Sequence, residues 1–379
     1  MNNKIKIIHV LNSLCVGGIE GIVIELCNRL DPEKYEVTLL VLSNNILDLK
    51  KNVAKHINLI LLPLKHKSSS LFDTILLIIN ILKVTKILKG IKPDIIHTHS
   101  FQYNVMPILL AIRIAAKNAY HFHTIHTSGI HYENKIINQK IKLRIEDWWY
   151  NQCETQIICI SPIIKEQINV LFTKKSNHPI TICNGIDINK FSYNRDFKCF
   201  DNIIRIAYTA RLNYGKSHDT LFNAFSLLTK KYQNLELILI GDGLLRSKLE
   251  LMAKDLKIEY EVKFLGNCKN VPKILENCNI GVFPSEFEGF GIALIEMMAM
   301  GLPIICTDIP IFRSIQLDES NVLFFPTRNG KLLAKQIEKF IVSPELRNKF
   351  SEKSLQFSKQ FSIDSMVMKH ETIYNKMLE

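Results

Sequence analysis

Short apolar segments that alternate with helical segments are the feature that most restricts the fold of this chain. Ile5–Leu11 is a largely apolar run, a glycine-bearing loop follows it, and Ile22–Leu30 continues as a helix. Strands that are buried on both faces of a parallel sheet have such apolar runs. A strand, a glycine loop and a helix in this order form the unit of a doubly wound sheet. The sequence therefore predicts an α/β protein.

The same order continues along the chain and restarts once. In the first half, further strands are predicted at Tyr35–Leu42, Ile57–Leu62, Pro93–Ser100, Asn118–Phe122, Gln156–Ser161 and within Ile180–Asp187, with helices at Leu71–Leu88, at Ile141–Gln152 and from Pro162. After the polar stretch Asn189–Asn202, strands are predicted at Ile203–Thr209, Leu235–Ile240, Val262–Leu265, Ile280–Phe283 and Pro303–Thr307. The chain of 379 residues is long enough for two domains. We predict one domain over residues 1–190, a second over 191–360, and a C-terminal helix over 361–379 that packs back on the first domain.

The composition is that of a globular protein whose first half is basic. Hydrophobic residues make up 47% of the chain and charged residues 22%, which excludes a disordered chain. The first 180 residues carry 22 Lys and Arg against 13 Asp and Glu. This excess is compatible with an anionic membrane surface, a phosphorylated substrate or nucleic acid as partner. The basic residues are not interleaved with aromatic residues as in a nucleic-acid-binding module, so no nucleic-acid partner is expected.

Cysteine usage and the lengths of the apolar segments favour a cytoplasmic location. Nine cysteines without a C-x-x-C pair indicate free thiols in a reducing compartment. The N-terminal segment lacks the apolar core of a signal peptide. The apolar stretch Leu71–Leu82 is too short for a bilayer, which needs about 20 residues. Lysines toward the end of this helix leave two interpretations open, a surface helix packed on the sheet and a membrane-facing helix.

Two glutamates flank a glycine-bearing loop at the start of an apolar helix. Glu288 and Glu296 are eight residues apart, a little over two helical turns, so they can reach the two ends of one elongated ligand. Between them, Gly289 and Gly291 allow backbone N–H groups to approach an anion at a helix N-terminus. Carboxylates bind hydroxyl groups and a backbone cradle binds phosphate. This stretch therefore predicts a sugar-nucleotide site.

Two other glycine-bearing loops follow predicted strands. Arg211 and Lys216 lie five residues apart in one of them and form a plausible clamp for a diphosphate, because arginine offers a planar fork and lysine a compact charge. Gly17 and Gly18 lie in the loop after the first strand, but no G-x-G-x-x-G dinucleotide fingerprint is present. This glycine pair is either a ligand loop or a simple turn.

Histidines are concentrated at the predicted ends of two neighbouring strands. His97 and His99 end one strand, and His123 and His126 follow the other. The carboxyl ends of parallel strands meet in the crevice where open α/β sheets bind ligands. Zinc ligation and hydrogen bonding in the core are the alternative roles; no cysteine or carboxylate lies at ligand spacing, so no metal is expected. His123 is the preferred active-site residue.

Several of these segments form an ordered set of motifs. In the second half they are Arg211–Asp219, Leu239–Gly243, Phe264–Gly266, Pro284–Gly291 and Glu296–Pro303; in the first half they are Gly17–Glu20, Asp94–His99 and Phe122–Thr124. The set resembles that of retaining glycosyltransferases of family 4, also called group 1 glycosyl transferases. The resemblance is specific over roughly residues 180–310 and looser in the first half. It implies the GT-B fold, in which two Rossmann-like doubly wound domains face each other across a cleft.

The resemblance implies a role for each matching residue. Glu288 would lie near the donor-sugar hydroxyls, and Glu296 would bind the ribose hydroxyls. Arg211 and Lys216 would neutralise the diphosphate leaving group. His123 matches the active-site histidine by its strand-end position, and His126 is the alternative. Glycine loops and backbone groups would complete donor binding, at Gly17, Gly18, Gly241, Phe290, Gly291 and Ile292.

The resemblance also implies the reaction. A hexosyl or N-acetylhexosaminyl group would move from a nucleotide-sugar donor, UDP-linked in our interpretation, to a glycan or a lipid-linked saccharide. The implied pathway is the assembly of a bacterial capsule, O-antigen or exopolysaccharide, with a peripheral contact at the inner face of an anionic membrane. The chain contains no D-x-D sequence, so transfer without a metal or another cofactor is expected, with positive side chains stabilising the departing phosphate.

Two alternatives to a transferase remain open. A sugar-nucleotide epimerase shares the implied fold, but it should carry further acid/base carboxylates and it lacks the pattern of Glu288 and Glu296. A non-catalytic subunit that binds a sugar nucleotide should have lost Arg211, Lys216 or Glu288, and all three are present.

Overall fold

The computed structural model describes residues 4–15, 17–42, 48–62, 71–99, 105–126, 147–148, 150–171, 178–192 and 202–379. The chain divides into two compact units, Met1–Asn184 with Ile363–Glu379, and Gly185–Ser362. The boundaries predicted at residues 190 and 360 differ from these by a few residues. The helix predicted at Ile141–Gln152 falls mostly outside the described residues.

The first unit is built on a parallel sheet. Its strands are β1 (Ile5–Leu11), β2 (Tyr35–Val41), β3 (Asn58–Leu61), β4 (Ile95–Thr98), β5 (Tyr120–Ile125), β6 (Gln156–Cys159) and β7 (Ile180–Thr181). Its helices include α1 (Gly18–Arg29), α2 (Leu71–Ile91), α3 (Val105–Ala115) and α4 (Pro162–Leu171). The seven strands are ordered β3-β2-β1-β4-β5-β6-β7. The order reverses between β1 and β4, which is the switch point where open sheets bind ligands.

The second unit repeats this arrangement with a second parallel sheet. Its strands are β8 (Ile204–Thr209), β9 (Leu235–Ile240), β10 (Val262–Phe264), β11 (Ile280–Phe283), β12 (Ile304–Thr307) and β13 (Val322–Phe325). Its helices are α5 (His218–Thr229), α6 (Arg246–Asp255), α7 (Val271–Leu275), α8 (Ile292–Ala299), α9 (Pro310–Ser314), α10 (Gly330–Val342) and α11 (Pro344–Ser358). The six strands are ordered β10-β9-β8-β11-β12-β13, with the switch point between β8 and β11. The predicted doubly wound α/β architecture is confirmed in both units.

The C-terminal helix α12 (Ile363–Leu378) belongs to the first unit although the preceding 178 residues form the second. Three side chains attach it. Asp364 accepts from Arg29 at 2.8 Å, Asn375 accepts from the Tyr35 hydroxyl at 3.1 Å, and the Tyr374 hydroxyl lies 2.6 Å from Nδ1 of His97. Helix α12 therefore completes the core of the first unit.

Three details differ from the predicted elements. The C-terminal helix predicted over 361–379 begins at Ile363, because Lys359–Phe361 forms a short 3₁₀ turn that separates α11 from α12. Strand β13 and helix α9 were not predicted, because four- and five-residue apolar runs do not reveal their period. The strand end predicted at Phe122 is wrong, because β5 continues to Ile125 and its last five residues are all buried.

Two further observations concern membrane-spanning helices and cysteines. Among the described residues, no helix combines the length and the apolar character needed to cross a bilayer. The cysteines in the same part of the chain are free, and Cys27, Cys159, Cys278 and Cys306 are buried. Burial raises the pKa of the Cys159 thiol to about 12, so this cysteine is a packing residue and not a reactive thiolate.

Candidate active site

The switch point of the second sheet brings two predicted site residues into contact. The loop after β8 carries Lys216, and the loop after β11 carries Glu288. Since β8 and β11 are parallel neighbours, both loops leave the sheet at the same edge. Nζ of Lys216 donates to Oε1 of Glu288 at 2.5 Å, and both side chains are largely buried. A cation and a carboxylate thus meet where this fold class binds ligands.

A buried tyrosine that sequence reasoning did not single out connects the two loops. The Tyr208 hydroxyl, at the end of β8, donates to the backbone oxygen of Lys216 at 2.9 Å. The Tyr208 hydroxyl oxygen also lies 3.0 Å from Oγ of Ser285, in the loop after β11. Burial and the nearby Glu288 charge raise the pKa of Tyr208 well above its usual value, so the hydroxyl stays protonated and keeps its donor. Through these two bonds, Tyr208 holds the backbone of Lys216 next to the loop after β11.

Glu286 forms a second connection between these loops, and it was also missed. Its backbone N–H donates to the oxygen of Gly215 at 2.8 Å. Its carboxylate accepts from the Ser217 hydroxyl at 2.7 Å and from Nε of Arg328 at 2.8 Å. The Arg328 guanidinium beside it lowers the pKa of the Glu286 carboxyl. The loop that carries Lys216 is therefore held on both sides of that lysine.

Two glycines of the site adopt backbone conformations in which any other residue would be strained. Gly291 has a φ of +91° immediately before α8, and a Cβ there would lie 2.8 Å from Cε1 of Phe312. Gly241, after β9, has a φ of +132°, and a Cβ there would lie 2.1 Å from the oxygen of Ala210. The first glycine lets α8 begin beside Glu288 with its N–H groups directed outward, and the second lets the loops after β8 and β9 pack closely.

Glu296 lies on α8 and differs from Glu288 in its surroundings. Burial raises the pKa of its carboxyl from 4.5 to about 7, and the nearby Lys190 charge opposes this rise. Lys190 is exposed and was not predicted as a site residue. A carboxyl group with a pKa near 7 is typical of a functional position, because a purely structural one would gain a partner that keeps it ionised.

The remaining predicted residues of the second unit occupy three kinds of position. Arg211 is exposed in the loop after β8. The Phe290 side chain is buried against Phe361, which leaves only its backbone for the predicted contact with the donor. Ile292 is the half-exposed first residue of α8. These positions are compatible with the backbone and cation roles that the sequence suggested for them.

The first unit presents its predicted residues at the edge of its own sheet. Gly18 is the first residue of α1, and Gly17 precedes it with an extended backbone (φ −167°) that any residue can adopt. Beside them Glu20 accepts from the Ser13 hydroxyl at 3.3 Å. The glycine pair therefore forms the loop-to-helix junction at a strand end, where a ligand anion could approach backbone N–H groups.

His123 and His126 differ in their positions on β5. His123 lies inside the strand and is completely buried; its Nδ1 is 2.7 Å from the Thr98 hydroxyl and its ring packs on Tyr150. His126 is the first residue after the strand, and its Nδ1 is buried without a hydrogen-bond partner. The strand-end position on which the choice of His123 depended is therefore that of His126.

Comparison with known proteins identifies the family. Residues 194–357 match the family model described as glycosyl transferases group 1, and residues 16–190 match the model of glycosyltransferase family 4. The chain belongs to glycosyltransferase family 4. The two matches correspond to the second and first units, which agrees with the motifs found in each half of the sequence.

Individual relatives agree with this family assignment. An uncharacterized glycosyltransferase of Methanocaldococcus jannaschii, MJ1059, is 29% identical over 237 residues, which cover 60% of this chain and 58% of that protein. The O-antigen biosynthesis glycosyltransferase WclY of Escherichia coli is 25% identical over 295 residues, covering 75% and 79%. The crystal structure of Anabaena HepE with UDP-glucose has a TM-score of 0.80 at 18% identity and covers 98% of this chain and 99% of that one. This likeness confirms the predicted GT-B fold.

Replacing Gly291 by alanine tests the conformation that precedes α8. The positive φ and the contact with Phe312 should lower the free energy of unfolding by about 2 kcal/mol. Chemical denaturation of purified protein measures the change. Gly21→Ala is the matched control, since Gly21 is helical with open space around it and alanine should stabilise it by about 0.5–1 kcal/mol. Equal effects at the two positions would contradict the conformation assigned to Gly291.

Replacing Glu296 by glutamine tests the raised pKa. The carboxyl pKa is higher in the folded state than in the unfolded chain, so folding takes up a proton between pH 4.5 and about 7. Stability from this group is complete below pH 4.5 and is lost as the pH rises through 7, by about 3 kcal/mol. Relative to the Gln variant, the wild type should therefore lose stability across this window in denaturation series. Parallel curves for the two proteins would refute the raised pKa.

Proposed function

We propose that this chain is a retaining, metal-independent glycosyltransferase that uses a UDP-linked sugar and adds it to a glycan or a lipid-linked saccharide. The observation that carries the proposal is the contact between Lys216 and Glu288 at the switch point, beside the N-terminus of α8. A lysine and a helix N-terminus bind anionic groups, and a carboxylate binds hydroxyl groups. A sugar diphosphate carries these two kinds of group next to each other.

Lys216 is proposed to bind the diphosphate of the donor. An ammonium group has three donors, so Lys216 can keep its bond to Glu288 and still donate to phosphate oxygens. Arg211 in the same loop and the N–H groups at the start of α8 add positive potential. In the transition state the bond between the anomeric carbon and the phosphate oxygen breaks and negative charge collects on the diphosphate. Cations fixed in advance stabilise that charge more than they stabilise the bound donor.

Glu288 is proposed to orient the sugar and not to attack it. Its carboxylate is already bonded to Lys216, which reduces its nucleophilicity and directs its second oxygen to hydroxyl groups. The acceptor oxygen then bonds to the anomeric carbon on the face that the diphosphate leaves, and the acceptor's proton goes to the departing diphosphate. Glu296, farther along α8, is proposed to bind the ribose hydroxyls as a carboxylate, so donor binding would favour its deprotonated form.

The donor base, the pathway and the membrane contact are proposed from different observations. HepE was crystallised with UDP-glucose and WclY is named for O-antigen biosynthesis, which supports UDP and a cell-surface polysaccharide here. Helix α2 exposes Ile78 and Leu82 together with Lys83, Lys86 and Lys89. Apolar and basic groups side by side suit the surface of an anionic membrane, where a lipid-linked acceptor would be found.

Removing either member of the Lys216–Glu288 pair should abolish transfer without unfolding the protein. Lys216→Met and Glu288→Gln are each expected to lower kcat about 100- to 1000-fold, the usual effect of losing one group that stabilises developing charge. Release of UDP from a panel of nucleotide sugars measures the reaction, and thermal melting checks folding. Lys231→Met removes a surface lysine that is paired with Glu338 and is the matched control; it should retain full activity. Turnover at the wild-type level in either site variant would refute the assignment.

The two histidine candidates can be separated by mutation. We expect His126→Ala to lower kcat/KM about 100-fold with a small change in melting temperature, because His126 lies at the end of β5. His123→Ala should lower the free energy of unfolding by about 2–4 kcal/mol, because it leaves a cavity in place of the completely buried imidazole. Activity assays and denaturation curves on both variants decide the question. A stable but inactive His123 variant, together with an active His126 variant, would restore the original choice.

A further inference from the structure

One face of the first sheet is lined by buried histidines where apolar residues would be expected. His9 and His97 are direct neighbours in β1 and β4, and His99 follows two residues later on the same face. His126 follows β5, and His370 comes from α12. All five side chains are less than 8% exposed. We refer to these five residues as the histidine patch.

Three imidazoles of the histidine patch form a hydrogen-bonded chain. Nδ1 of His9 lies 3.0 Å from Nε2 of His99, and Nδ1 of His99 lies 3.4 Å from Nε2 of His126. The two outer nitrogens, Nε2 of His9 and Nδ1 of His126, are buried and have no hydrogen-bond partner. His97 lies outside the chain, because its nitrogens are bonded to the hydroxyls of Tyr374 and Thr124.

Neutral imidazoles in such a chain must all point in the same direction. Burial lowers the pKa of His9 and His126 to about 3 and that of His99 well below its usual value, so all three are neutral near pH 7. A neutral imidazole has one N–H donor and one acceptor nitrogen. If His9 donates to His99, then His99 donates to His126, and the unpaired N–H is Nδ1–H of His126. In the opposite direction the unpaired N–H is Nε2–H of His9.

The positions of the two ends select one direction. A buried N–H without an acceptor costs more than a buried acceptor without a donor, and orphaned N–H groups are correspondingly rare. His9 lies inside β1 and is completely buried, whereas His126 follows the carboxyl end of β5. Ligands reach that edge of an open parallel sheet. The unpaired N–H is therefore less costly at His126, which lies at this edge and is less completely buried than His9.

We propose that His9 and His99 are positioning residues that hold His126 with its proton on Nδ1, so that this N–H donates to an oxygen of the bound sugar nucleotide. The ligand in this statement rests on the proposed function; the protonation state does not. Without His99, His126 could place its proton on either nitrogen, and about half of the molecules would present a lone pair to the ligand oxygen. His9 in β1 and His99 after β4 would thus set the protonation of His126 at the edge of the sheet.

A metal ion is the competing explanation for three of these residues. His9, His97 and His99 have ligand nitrogens within 4.8 Å of one another. Both nitrogens of His97 are already hydrogen-bonded, and neither a cysteine nor a carboxylate belongs to this group. A buried dication would then have no anionic ligand to offset its desolvation. The geometry therefore favours the hydrogen-bonded chain over a metal site.

Nuclear magnetic resonance of 15N-histidine-labelled protein without ligand tests the protonation state directly, since protonated and unprotonated ring nitrogens resonate far apart. The His126 signals are assigned by their loss in His126→Gln. We expect a proton on Nδ1 of His126 in the wild type and a mixture of tautomers in His99→Phe, which keeps a ring of similar size. His121→Phe is the matched control, because His121 is equally buried but is bonded to Thr155 and Thr98 instead; it should leave the His126 signals unchanged.

Kinetics of nucleotide-sugar turnover supply the second measurement. His99→Phe is expected to lower kcat/KM for the donor about twofold, because about half of the molecules would carry the other tautomer of His126. His99→Gln should recover part of this loss, because its amide can accept from His9 and donate to His126. A residue that only filled space would show the reverse order, with Phe better tolerated than Gln.

Three results would overturn the proposal. They are a proton on Nε2 of His126 in the wild type, an unchanged His126 tautomer in folded His99→Phe, and a stoichiometric metal ion, detected by elemental analysis, that shifts the signals of His9, His97 and His99. If His99→Phe does not fold, the wild-type spectrum alone decides the direction of the chain. A protonated Nδ1 in a protein that neither binds nor turns over nucleotide sugars would refute the proposed function but support the positioning role.

Discussion

The parallel pairing of β8 with β11 is the interaction on which the candidate active site depends. These strands are far apart in sequence, yet Ile280 pairs with Ile206 and Gly281 with Ala207. Because the pairing is parallel, the loops that follow both strands leave the sheet at the same edge. The loops that follow them carry Lys216 and Glu288, whose charges are thereby brought together. A shift in the register of either strand would move a complete loop relative to the other. The positions of the charged groups are thus a consequence of backbone hydrogen bonds in the sheet.

Pairing of the strands alone would leave the two loops free to move, and polar side chains restrict them. Tyr208 bonds to the backbone of Lys216 and to Ser285, and Glu286 bonds to Ser217 and Arg328. None of these four bonds involves the Lys216 ammonium group, which is bonded to Glu288 and has two further N–H donors. The ammonium therefore remains available to a ligand while its backbone is fixed. Such rigid placement of charge before the substrate arrives is what electrostatic catalysis requires.

The features that the sequence predicts are those determined by residues close together in the chain, such as strand ends and glycine loops. An apolar run followed by a glycine loop specifies a strand end, so the sequence predicts that Lys216 and Glu288 follow strands of one parallel sheet. Tyr208 and Glu286 could not be found in this way, because their partners are set by register and by the course of both loops. Strand β5 shows the limit at a single element. Its sequence from Tyr120 to Ile125 contains two histidines, which hid the true strand end and favoured His123 over His126.

The histidine patch is the place where the first unit departs most from an ordinary apolar core. Aliphatic side chains would fill the same space, and each unpaired nitrogen of His9 and His126 carries a desolvation cost of about 1–3 kcal/mol. That cost falls on His9 in β1, one of the two strands at the switch point, and on His126, which directly follows β5. Polar groups retained at a cost beside a ligand-binding edge are more readily explained by what they do for the ligand than by packing. Because the chain of imidazoles ends at His126, the cost at that end is removed when a ligand oxygen accepts the free N–H, and binding then recovers energy that folding had lost.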